Sequence, residues 1–437
     1  MKIDILKRLS SSRVVILDGS MGALLIGKGI TPSGPVGRLN IENPDVIEAV
    51  HEDYIESGAE IILTNTFETN PNHYKKGEFE EVIFAGIEIA RRAARGKVYV
   101  AGDIGPLGVL VEPLGDFPYD EAYRIFCKIG DAFAQDLPDL IWIESFTSMV
   151  EARAAFLALR ELNRPIVITG AFQKDGRTSC GDIPEAWAVT FQRLGAVAVG
   201  VNCTEPATAV EIVRRMRSVT NLPLVAKPNA GLPRIRQKKT VYTLNSPALA
   251  NYFDQFIDAG ATMVGGCCGS TPEYIRLISR RQRRVSKIVK DPGVFISSSR
   301  EVINLSTSAP TLIVGERLNP SGRKSLRAAI EKDNFEIFGN EAREQEEAGA
   351  DALDVNAFNP NVDEKRSLRK AVFEVYKKSS LPIFIDTQNF QAAEEVLKFW
   401  PGIPVLNSVP ARIRELKGWL PMIKKYGARV VISLVGE

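Results

Sequence analysis

Short apolar runs alternate with helical stretches through the first two thirds of this 437-residue chain. Several of the helical stretches begin with a capping residue followed by proline, as at Asn43-Pro44 and Thr271-Pro272. The eight apolar runs are Val14–Asp18, Glu60–Thr64, Val98–Asp103, Leu140–Glu144, Pro165–Thr169, Ala196–Asn202, Leu222–Lys227 and Ala261–Gly265. Eight such repeats predict an α/β fold, a closed parallel (β/α)8 TIM barrel whose strands are buried on both faces. A doubly wound open sheet is the alternative.

The alternation of strands and helices restarts after residue 310. Five further runs are present: Thr311–Gly315, Ala352–Asn356, Pro382–Asp386, Pro404–Asn407 and Arg429–Val435. We therefore predict a barrel over residues 1–285, a linker over 286–310, and a second, apparently incomplete TIM-type β/α barrel over 311–437. Five parallel strands leave an open apolar edge. We expect either that the natural protein continues beyond Glu437 or that something else covers this edge.

The overall composition is that of an ordinary globular protein, with 45% hydrophobic and 25% charged residues. A formal charge of +2 gives no reason to expect a nucleic-acid surface. No apolar run reaches the roughly 18 residues of a membrane span, and residues 1–13 lack the apolar core of a secretion signal. Five cysteines, an odd number, favour reduced thiols or a metal over disulfides. We predict a cytoplasmic protein that acts on a small molecule or a protein, without nucleic-acid or membrane partners.

Three of the five cysteines follow two of the predicted barrel strands. Cys203 follows the sixth run, and Cys267 and Cys268 follow the eighth, between glycines that permit an irregular turn. A single cysteine is more often a packing residue. Three thiols on the same face of a barrel instead predict a zinc site with one open position. Because three thiolates keep the metal electron-rich, such a site is better suited to activating another thiol than to activating water.

Six motifs of the predicted barrel resemble the homocysteine S-methyltransferase family. They are Asp18–Gly22, Thr64–Phe67, Gly176–Thr178, Val201–Cys203, Pro228–Pro233 and Gly265–Gly269, in an order that spans residues 1 to about 285. The resemblance implies that the three cysteines hold zinc and that the sulfur of homocysteine becomes the fourth ligand, replacing a labile protein or water ligand. Zinc would deprotonate a thiol whose free pKa is about 8.5, and so create the nucleophile.

Substrate recognition needs partners for the ammonium and carboxylate groups of homocysteine. We interpret Glu144, after the fourth run, as the partner of the ammonium group; the alternative is an ion pair at the barrel rim. The turn formed by Gly19, Ser20, Met21 and Gly22 offers backbone N–H groups to the carboxylate. Asp18 is expected to order this first loop, and Asn202 to orient a ligating sulfur. We predict that His51, in a helical pattern, lies at the surface.

The second module resembles the pterin-binding barrels of methyltetrahydrofolate-dependent methyltransferases, including the cobalamin-dependent methionine synthase family. The resemblance rests on Val314–Asn319, Asp354–Asn356, Asp386 and Leu406–Ser408. It implies that Asp386 and Asn407 bind the pterin edge, with Glu316 and Asn356 nearby. The alternative is that these acids and amides only cap the following helices. Asp386-Thr387-Gln388 departs from the Asp-Ser-Ser expected at this position.

The tandem order of the two modules implies the amino-terminal half of such an enzyme, or a close relative that works with a separate corrinoid protein. The implied reaction is methyl transfer to zinc-activated homocysteine, giving methionine. The donor would be methylcobalamin on another module or protein, recharged from methyltetrahydrofolate. One alternative is a homocysteine methyltransferase that uses a small donor such as S-methylmethionine or betaine. Another is a non-catalytic zinc- and thiol-binding docking module.

Overall fold

The computed structural model describes the chain except for residues 1–3, 31–33, 76, 237–238, 282, 286–292, 308 and 435–437. Two compact units are present. The first comprises Met1–Val109, Asp120–Cys180 and Gly195–Pro292, and the second comprises Leu110–Tyr119, Gly181–Leu194 and Gly293–Glu437. Two short segments from the first two hundred residues therefore belong to the second unit. The boundaries predicted at residues 285 and 310 stay a prediction.

The first unit is built around eight parallel strands, one in each of the eight predicted runs. They are β1 (Val15–Ile16), β2 (Ile61–Leu63), β3 (Tyr99–Ile104), β4 (Leu140–Phe146), β5 (Ile166–Gly170), β6 (Ala198–Asn202), β7 (Leu224–Lys227) and β10 (Met263–Val264). The strand order is β1-β10-β7-β6-β5-β4-β3-β2, and a parallel bridge between Leu17 and Ile61 joins the two ends. The predicted TIM barrel is confirmed.

Helices and one hairpin connect these strands. The helices of this part of the chain are α1 (Ile5–Leu9), α2 (Met21–Gly27), α3 (Leu39–Glu42), α4 (Pro44–Glu56), α5 (Glu78–Ala94), α6 (Tyr119–Ala134), α7 (Met149–Leu159), α9 (Pro206–Arg217), α10 (Ser246–Ala250), α11 (Phe253–Ala259) and α12 (Pro272–Ser279), with 3-10 turns at Val36–Arg38, Pro71–His73 and Arg160–Leu162. The hairpin comprises β8 (Pro233–Arg236) and β9 (Lys239–Tyr242), and it is inserted between β7 and α10.

The barrel interior is filled by side chains from every strand. Among them, Trp142 of β4, Val167 of β5 and Val225 of β7 are fully buried. At an order of magnitude of 25 cal/mol per Å² of apolar surface removed from water, this layer supplies much of the stability of the barrel. Because the packed layer leaves no pore, polar side chains can gather only at the strand ends.

The second unit is built around five parallel strands in sequence order. They are β13 (Val314–Leu318), β14 (Ala352–Val355), β15 (Ile383–Asp386), β16 (Val405–Pro410) and β17 (Arg429–Ser433). The helices of this unit are α8 (Pro184–Leu194), α13 (Lys324–Glu331), α14 (Glu336–Glu347), α15 (Glu364–Lys378), α16 (Phe390–Phe399) and α17 (Ile413–Tyr426), with a 3-10 turn at Pro320–Gly322. Each predicted run has its strand, although β13 begins three residues later than the run predicted from Thr311.

The segment predicted as a linker contains an antiparallel pair of strands, β11 (Phe295–Ser297) and β12 (Val302–Asn304). Ser297, Ser298 and Ser299 lie at the turn of this pair and are buried. The hydroxyl group of Ser298 donates a hydrogen bond to the backbone oxygen of Ser380 at 2.5 Å. A serine-rich sequence thus forms packed structure here because backbone groups and the hydroxyl groups of Thr190 and Tyr376 satisfy its own hydroxyl groups.

The prediction that His51 lies at the surface is wrong. The side chain is buried on α4, and its Nε2 atom has no hydrogen-bond partner among the described residues. Burial lowers the pKa of this histidine to about 4. His51 therefore packs as a neutral side chain.

In the described residues, no helix is both long and apolar enough to cross a membrane.

Candidate functional site

The sulfur atoms of Cys203, Cys267 and Cys268 meet at the carboxyl-end face of the first barrel. All three Sγ atoms lie within 4.8 Å of one another, and those of Cys203 and Cys268 are 3.9 Å apart. Each of the three side chains is partly accessible to solvent. The chain therefore brings together the three thiols that were predicted from sequence to converge.

Backbone hydrogen bonds fix the two loops that carry the thiols. The N–H group of Cys203 donates to the carbonyl oxygen of Lys227 at 3.2 Å, and that of Cys267 donates to Pro228 at 2.8 Å. A Cβ atom at Gly269 would overlap the ring of Tyr242, and this glycine has a φ of +77°. Cys203 itself has a φ of +52°, which is uncommon for a residue with a side chain. The loop geometry brings Cys203 close to the two adjacent cysteines.

The donor set and spacing of this cluster suit zinc. In a tetrahedral site with Zn–S bonds of about 2.3 Å, neighbouring sulfur atoms are about 3.8 Å apart, close to the 3.9 Å between Cys203 and Cys268. Among the thiols themselves, hydrogen bonding from Cys203 lowers the pKa of Cys268, whereas hydrogen bonding to Cys267 raises the pKa of Cys203. Once deprotonated, the three sulfur atoms form a donor set that suits Zn²⁺ or another soft divalent ion.

Asn202 connects Cys267 to the barrel interior. Its Oδ1 atom accepts hydrogen bonds from the N–H group of Ser145 and the hydroxyl group of Thr169, both at 2.8 Å. These bonds orient the amide so that Nδ2 donates to the hydroxyl oxygen of Ser145 and lies 3.9 Å from the sulfur of Cys267. Asn202 therefore lies beside Cys267, and its role in orienting a ligating sulfur stays a prediction.

A buried ion pair lies across the barrel mouth, and its lysine was not identified from the sequence. Lys227, the last residue of β7, is 2% exposed. Its Nζ donates to Oε2 of Glu144 at 2.9 Å and lies 3.7 Å from Oδ1 of Asp18. Burial alone would lower the pKa of Lys227, but the nearby carboxylates, Glu144 first, produce a net rise. The ion pair considered as the alternative for Glu144 is therefore present in the structure.

Besides Glu144, two buried acids interact with Lys227. Asp103, at the end of β3, is buried, and burial raises its pKa well above the ordinary value. Burial also raises the pKa of Asp18 to about 6, although Lys227 opposes this effect. Lys227 and Asp103 each end a predicted apolar run. Asp18 and Glu144 also end predicted apolar runs. The same criterion, applied to every run, would have selected Lys227 and Asp103.

The turn after β1 is held in place by several hydrogen bonds. Oδ2 of Asp18 accepts from the N–H group of Leu63 at 2.7 Å, so this side chain links the turn to β2. Ser20 caps α2 by accepting from the N–H group of Ala23 at 3.1 Å, and its own N–H group donates to Ser270. Met21 and Gly22 are the first two residues of α2, so their N–H groups have no acceptor within the helix. These two groups are the ones that the turn can offer to a carboxylate.

Asn229 is another polar residue near the cysteine loops. Its N–H group donates to Thr204, and the following residue, Ala230, donates to the carbonyl oxygen of Cys268 at 2.9 Å. The Oδ1 atom of Asn229 is buried without a hydrogen-bond partner among the described residues. An unsatisfied buried oxygen at this position is a candidate ligand for a metal or a substrate. Asn229 lies within the motif Pro228–Pro233, which was identified in the sequence, but no role was predicted for Asn229 itself.

Amides and acids meet at the strand ends of the second unit. The Nδ2 atom of Asn356 donates to Oδ2 of Asp386 at 3.0 Å, and that of Asn407 donates to Oδ1 of Asp354 at 3.0 Å. Glu316, also predicted for this site, is exposed on β13. Asp354 was not assigned a role from sequence. Burial raises its pKa to about 6, and the hydrogen bond from Asn407 opposes this rise.

Two methionine synthases are similar to nearly the whole of this chain. The methionine synthase of Mycobacterium tuberculosis is 29% identical over 465 residues, which cover 98% of this chain and 38% of that protein. The methionine synthase of Mycobacterium leprae is 28% identical over 473 residues, covering 99% of this chain and 39% of the relative. This chain therefore spans about two fifths of the length of these curated relatives.

Solved structures and family models give the remaining comparisons. The metallated form of the homocysteine methyltransferase MmuM from Escherichia coli superposes with a TM-score of 0.54 at 23% identity, covering 62% of this chain and 96% of that one, which shows a shared fold. A family model described as pterin binding enzyme matches residues 315–436. A model described as homocysteine S-methyltransferase matches residues 15–282, more than half of the sequence. The chain belongs to the homocysteine S-methyltransferase family.

Proposed function

We propose that this chain transfers a methyl group to the sulfur of homocysteine and so forms methionine. The observation that carries the proposal is the convergence of the Cys203, Cys267 and Cys268 sulfurs within 4.8 Å at the mouth of a closed barrel. These residues would hold zinc, which when bound supplies the Lewis acidity that deprotonates a substrate thiol. Their combined negative charge favours sulfur nucleophilicity over the activation of water.

The residues around the cysteines would bind the amino-acid part of the substrate. Glu144 accepts the ammonium group through the oxygen that Lys227 does not occupy, and the N–H groups of Met21 and Gly22 receive the carboxylate. Gly19 and Ser20 shape this turn, and Asp18 anchors it to β2. Asn202 holds the side chain of Cys267 in orientation. Each group thus serves to position homocysteine with its sulfur at the thiolate cluster.

The methyl donor in this proposal is a methylcorrinoid carried by another module or protein. The second unit would recharge the corrinoid from methyltetrahydrofolate, binding the pterin through Asp386 and Asn407 with Asn356 and Glu316 nearby. Support comes from the pterin-type family match, from the hydrogen bond between Asn356 and Asp386, and from the strand register that pairs Asp386 with Asn407. The proposed location of the whole system is the cytoplasm.

Removal of one thiol tests the metal site. We expect Cys268→Ala to lose stoichiometric zinc and methyl transfer while the barrel keeps its circular dichroism spectrum. Cys127→Ala removes a half-buried cysteine of α6, outside the cluster, and serves as the matched control. Metal content is measured by plasma emission spectroscopy on protein purified without added chelator. Full zinc retention by Cys268→Ala would contradict the ligand assignment.

A donor panel tests the proposed reaction. Methionine formation is measured with homocysteine and, in separate assays, methylcobalamin, S-methylmethionine or betaine. We expect turnover with methylcobalamin. Turnover with a small donor and none with methylcobalamin would replace the proposal with the first alternative. Homocysteine binding that leaves the X-ray absorption spectrum of the metal unchanged would favour the docking module.

A further inference from the structure

Two loops at the mouth of the barrel are joined through one serine side chain. Ser270 follows the cysteine loop and is 1% exposed. Its hydroxyl group donates a hydrogen bond to the carbonyl oxygen of Cys267 at 2.7 Å. The same hydroxyl oxygen accepts a hydrogen bond from the N–H group of Ser20, in the turn after β1, at 3.2 Å. Because a hydroxyl group both donates and accepts, Ser270 connects the backbone of Cys267 to the turn proposed to bind a carboxylate.

The two loops approach each other so closely that glycines lie beside the serine. A Cβ atom added at Gly266 would lie 2.2 Å from the hydroxyl oxygen of Ser270, and one added at Gly19 would lie 2.6 Å from it. A backbone hydrogen bond also joins the loops, from the N–H group of Gly266 to the carbonyl oxygen of Asp18 at 2.9 Å. Because such close packing leaves little room for movement, the serine side chain fixes the spacing between the turn and Cys267.

A second hydroxyl group holds the same turn from the side of α4. Tyr54 is buried on this helix, and its hydroxyl group donates to the carbonyl oxygen of Ser20 at 3.0 Å. It also lies 3.4 Å from the carbonyl oxygen of Ser270. Buried side chains therefore bind both the N–H group and the carbonyl group of Ser20. Because Met21 and Gly22 follow as the first residues of α2, the position of their N–H groups depends on that of Ser20.

We propose that Ser270, assisted by Tyr54, is a positioning residue that makes the site selective for the length of its thiol substrate. The inference rests on the proposed function, in which the carboxylate of homocysteine lies at the turn after β1 and its sulfur lies at the cysteine cluster. The two hydroxyl groups hold these two anchor points at a fixed separation. Free cysteine is shorter by one methylene group, about 1.5 Å along the chain, so it reaches one anchor point only by leaving the other. One methylene group typically changes the preference between substrates by about 10- to 200-fold.

The variant Ser270→Ala disconnects the turn while leaving the cysteine loop supported. The backbone N–H group of residue 270 donates to the carbonyl oxygen of Cys267 at 3.0 Å, and alanine keeps this hydrogen bond. The N–H group of Ser20, in contrast, loses its acceptor. We therefore expect the variant to change the position of the proposed carboxylate site and to keep the zinc content of the wild type.

Isothermal titration calorimetry on the zinc-loaded full chain tests this role without relying on turnover. The ligands are homocysteine, free cysteine and 3-aminopropane-1-thiol, which is homocysteine without its carboxylate. We expect the wild type to bind homocysteine at least about tenfold more tightly than free cysteine. In Ser270→Ala, homocysteine binding should weaken about tenfold, and its preference over free cysteine should fall by the same factor, whereas binding of 3-aminopropane-1-thiol should not change. Ser279→Ala is the matched control, because this serine also donates to backbone carbonyl oxygens but at the C-terminal end of α12, and it should alter none of the three affinities.

The outcomes separate this inference from the proposed function. A wild-type chain that binds free cysteine as tightly as homocysteine would overturn the substrate assignment and the role of Ser270 together. A selective wild type with an equally selective Ser270→Ala would overturn only the role of Ser270, as would loss of zinc or an equal loss of affinity for all three thiols. If the circular dichroism spectrum shows that Ser270→Ala does not fold, Tyr54→Phe provides the second measurement: a lower preference for homocysteine supports the inference, and an unchanged preference overturns it.

Discussion

The two units use parallel strands in different ways to bring polar side chains together. In the closed barrel, Lys227 of β7 reaches Glu144 of β4 and approaches Asp18 after β1. In the five-stranded sheet, the pairs are formed between nearby strands, as between Asn407 of β16 and Asp354 of β14. A closed barrel allows residues from opposite strands to meet across its interior. In the five-stranded sheet the contacts join strands that are adjacent or one strand apart, as β14 and β16 are on either side of β15.

The largest expected effect is on the free energy of unfolding, and it comes from the buried lysine of the barrel, Lys227. Lys227→Met leaves Glu144 and Asp18 buried without their cation, so we expect a loss of about 3–5 kcal/mol in the free energy of unfolding. Urea denaturation followed by tryptophan fluorescence measures it. Lys28→Met removes an exposed ion pair with Asp53 and should cost less than about 1 kcal/mol. Equal losses in the two variants would show that the charges at the barrel mouth are not buried in solution.

A second prediction concerns Glu151, in the first turn of α7, whose carboxylate accepts from the N–H group of Leu107 at 2.6 Å. Burial raises its pKa from 4.5 to about 7. Because the folded state binds this proton more tightly, stability is highest below pH 4.5 and is lost as the pH rises through 7. Glu151→Gln keeps an acceptor oxygen without the charge.

We therefore expect Glu151→Gln to be more stable than the wild type by about 3 kcal/mol at pH 8, with the difference vanishing near pH 4. Urea midpoints measured across this range check it. Glu161→Gln, at an exposed residue nearby, is the control. A difference that does not grow with pH would mean that the Glu151 carboxylate is hydrated in solution.

The corresponding test in the second unit uses Asp354. Its pKa is raised by burial from 3.8 to about 6, so stability falls as the pH rises between these values. Asp354→Asn should stabilise the chain by about 2 kcal/mol at pH 8, less than Glu151→Gln, because the pKa of Asp354 is raised by less and the hydrogen bond from Asn407 favours its charged form. Differential scanning calorimetry at pH 4 and pH 8 provides the measurement. A gain larger than that of Glu151→Gln would contradict the order expected for these two carboxylates.

The smallest expected effect is on the affinity of the second unit for methyltetrahydrofolate. Asp386→Ala removes the acceptor of Asn356 and the carboxylate proposed for the pterin, so methyltetrahydrofolate binding should weaken about tenfold, or about 1.4 kcal/mol. Isothermal titration calorimetry measures the affinity. Glu374→Gln, on the surface of α15, is the control. Unchanged affinity in Asp386→Ala would leave the strand-end acids with the helix-capping role considered as the alternative.

Much of the barrel could be predicted because its strands are short and apolar. Each of the eight predicted runs contains a strand, and the three thiols predicted to converge do so. The first strand of the second sheet was predicted three residues too early. β13 is an edge strand of the described sheet and tolerates the exposed polar residues Glu316 and Arg317, which a search for apolar runs passes over.

The residues that were missed are polar side chains whose burial depends on distant partners. Lys227 would be expected in solvent from its residue type alone, because a buried lysine is rare unless it is paired. Its partners are 83 and 209 positions away in the sequence, and no local pattern identifies them. Ser270 depends on its contact with Ser20, and His51 on the packing of α4. Long-range packing of this kind is set by the tertiary fold.

The left-handed conformation of Cys203 places a limit on how far this protein can be stabilised by substitution. A residue with a side chain at a φ of +52° costs of the order of 1 kcal/mol, and glycine is the usual replacement that removes such strain. Glycine has no sulfur, so relieving the strain would delete a proposed ligand. Evolution and protein engineering therefore face the same trade-off at this position, where stability can be gained only by giving up the thiol.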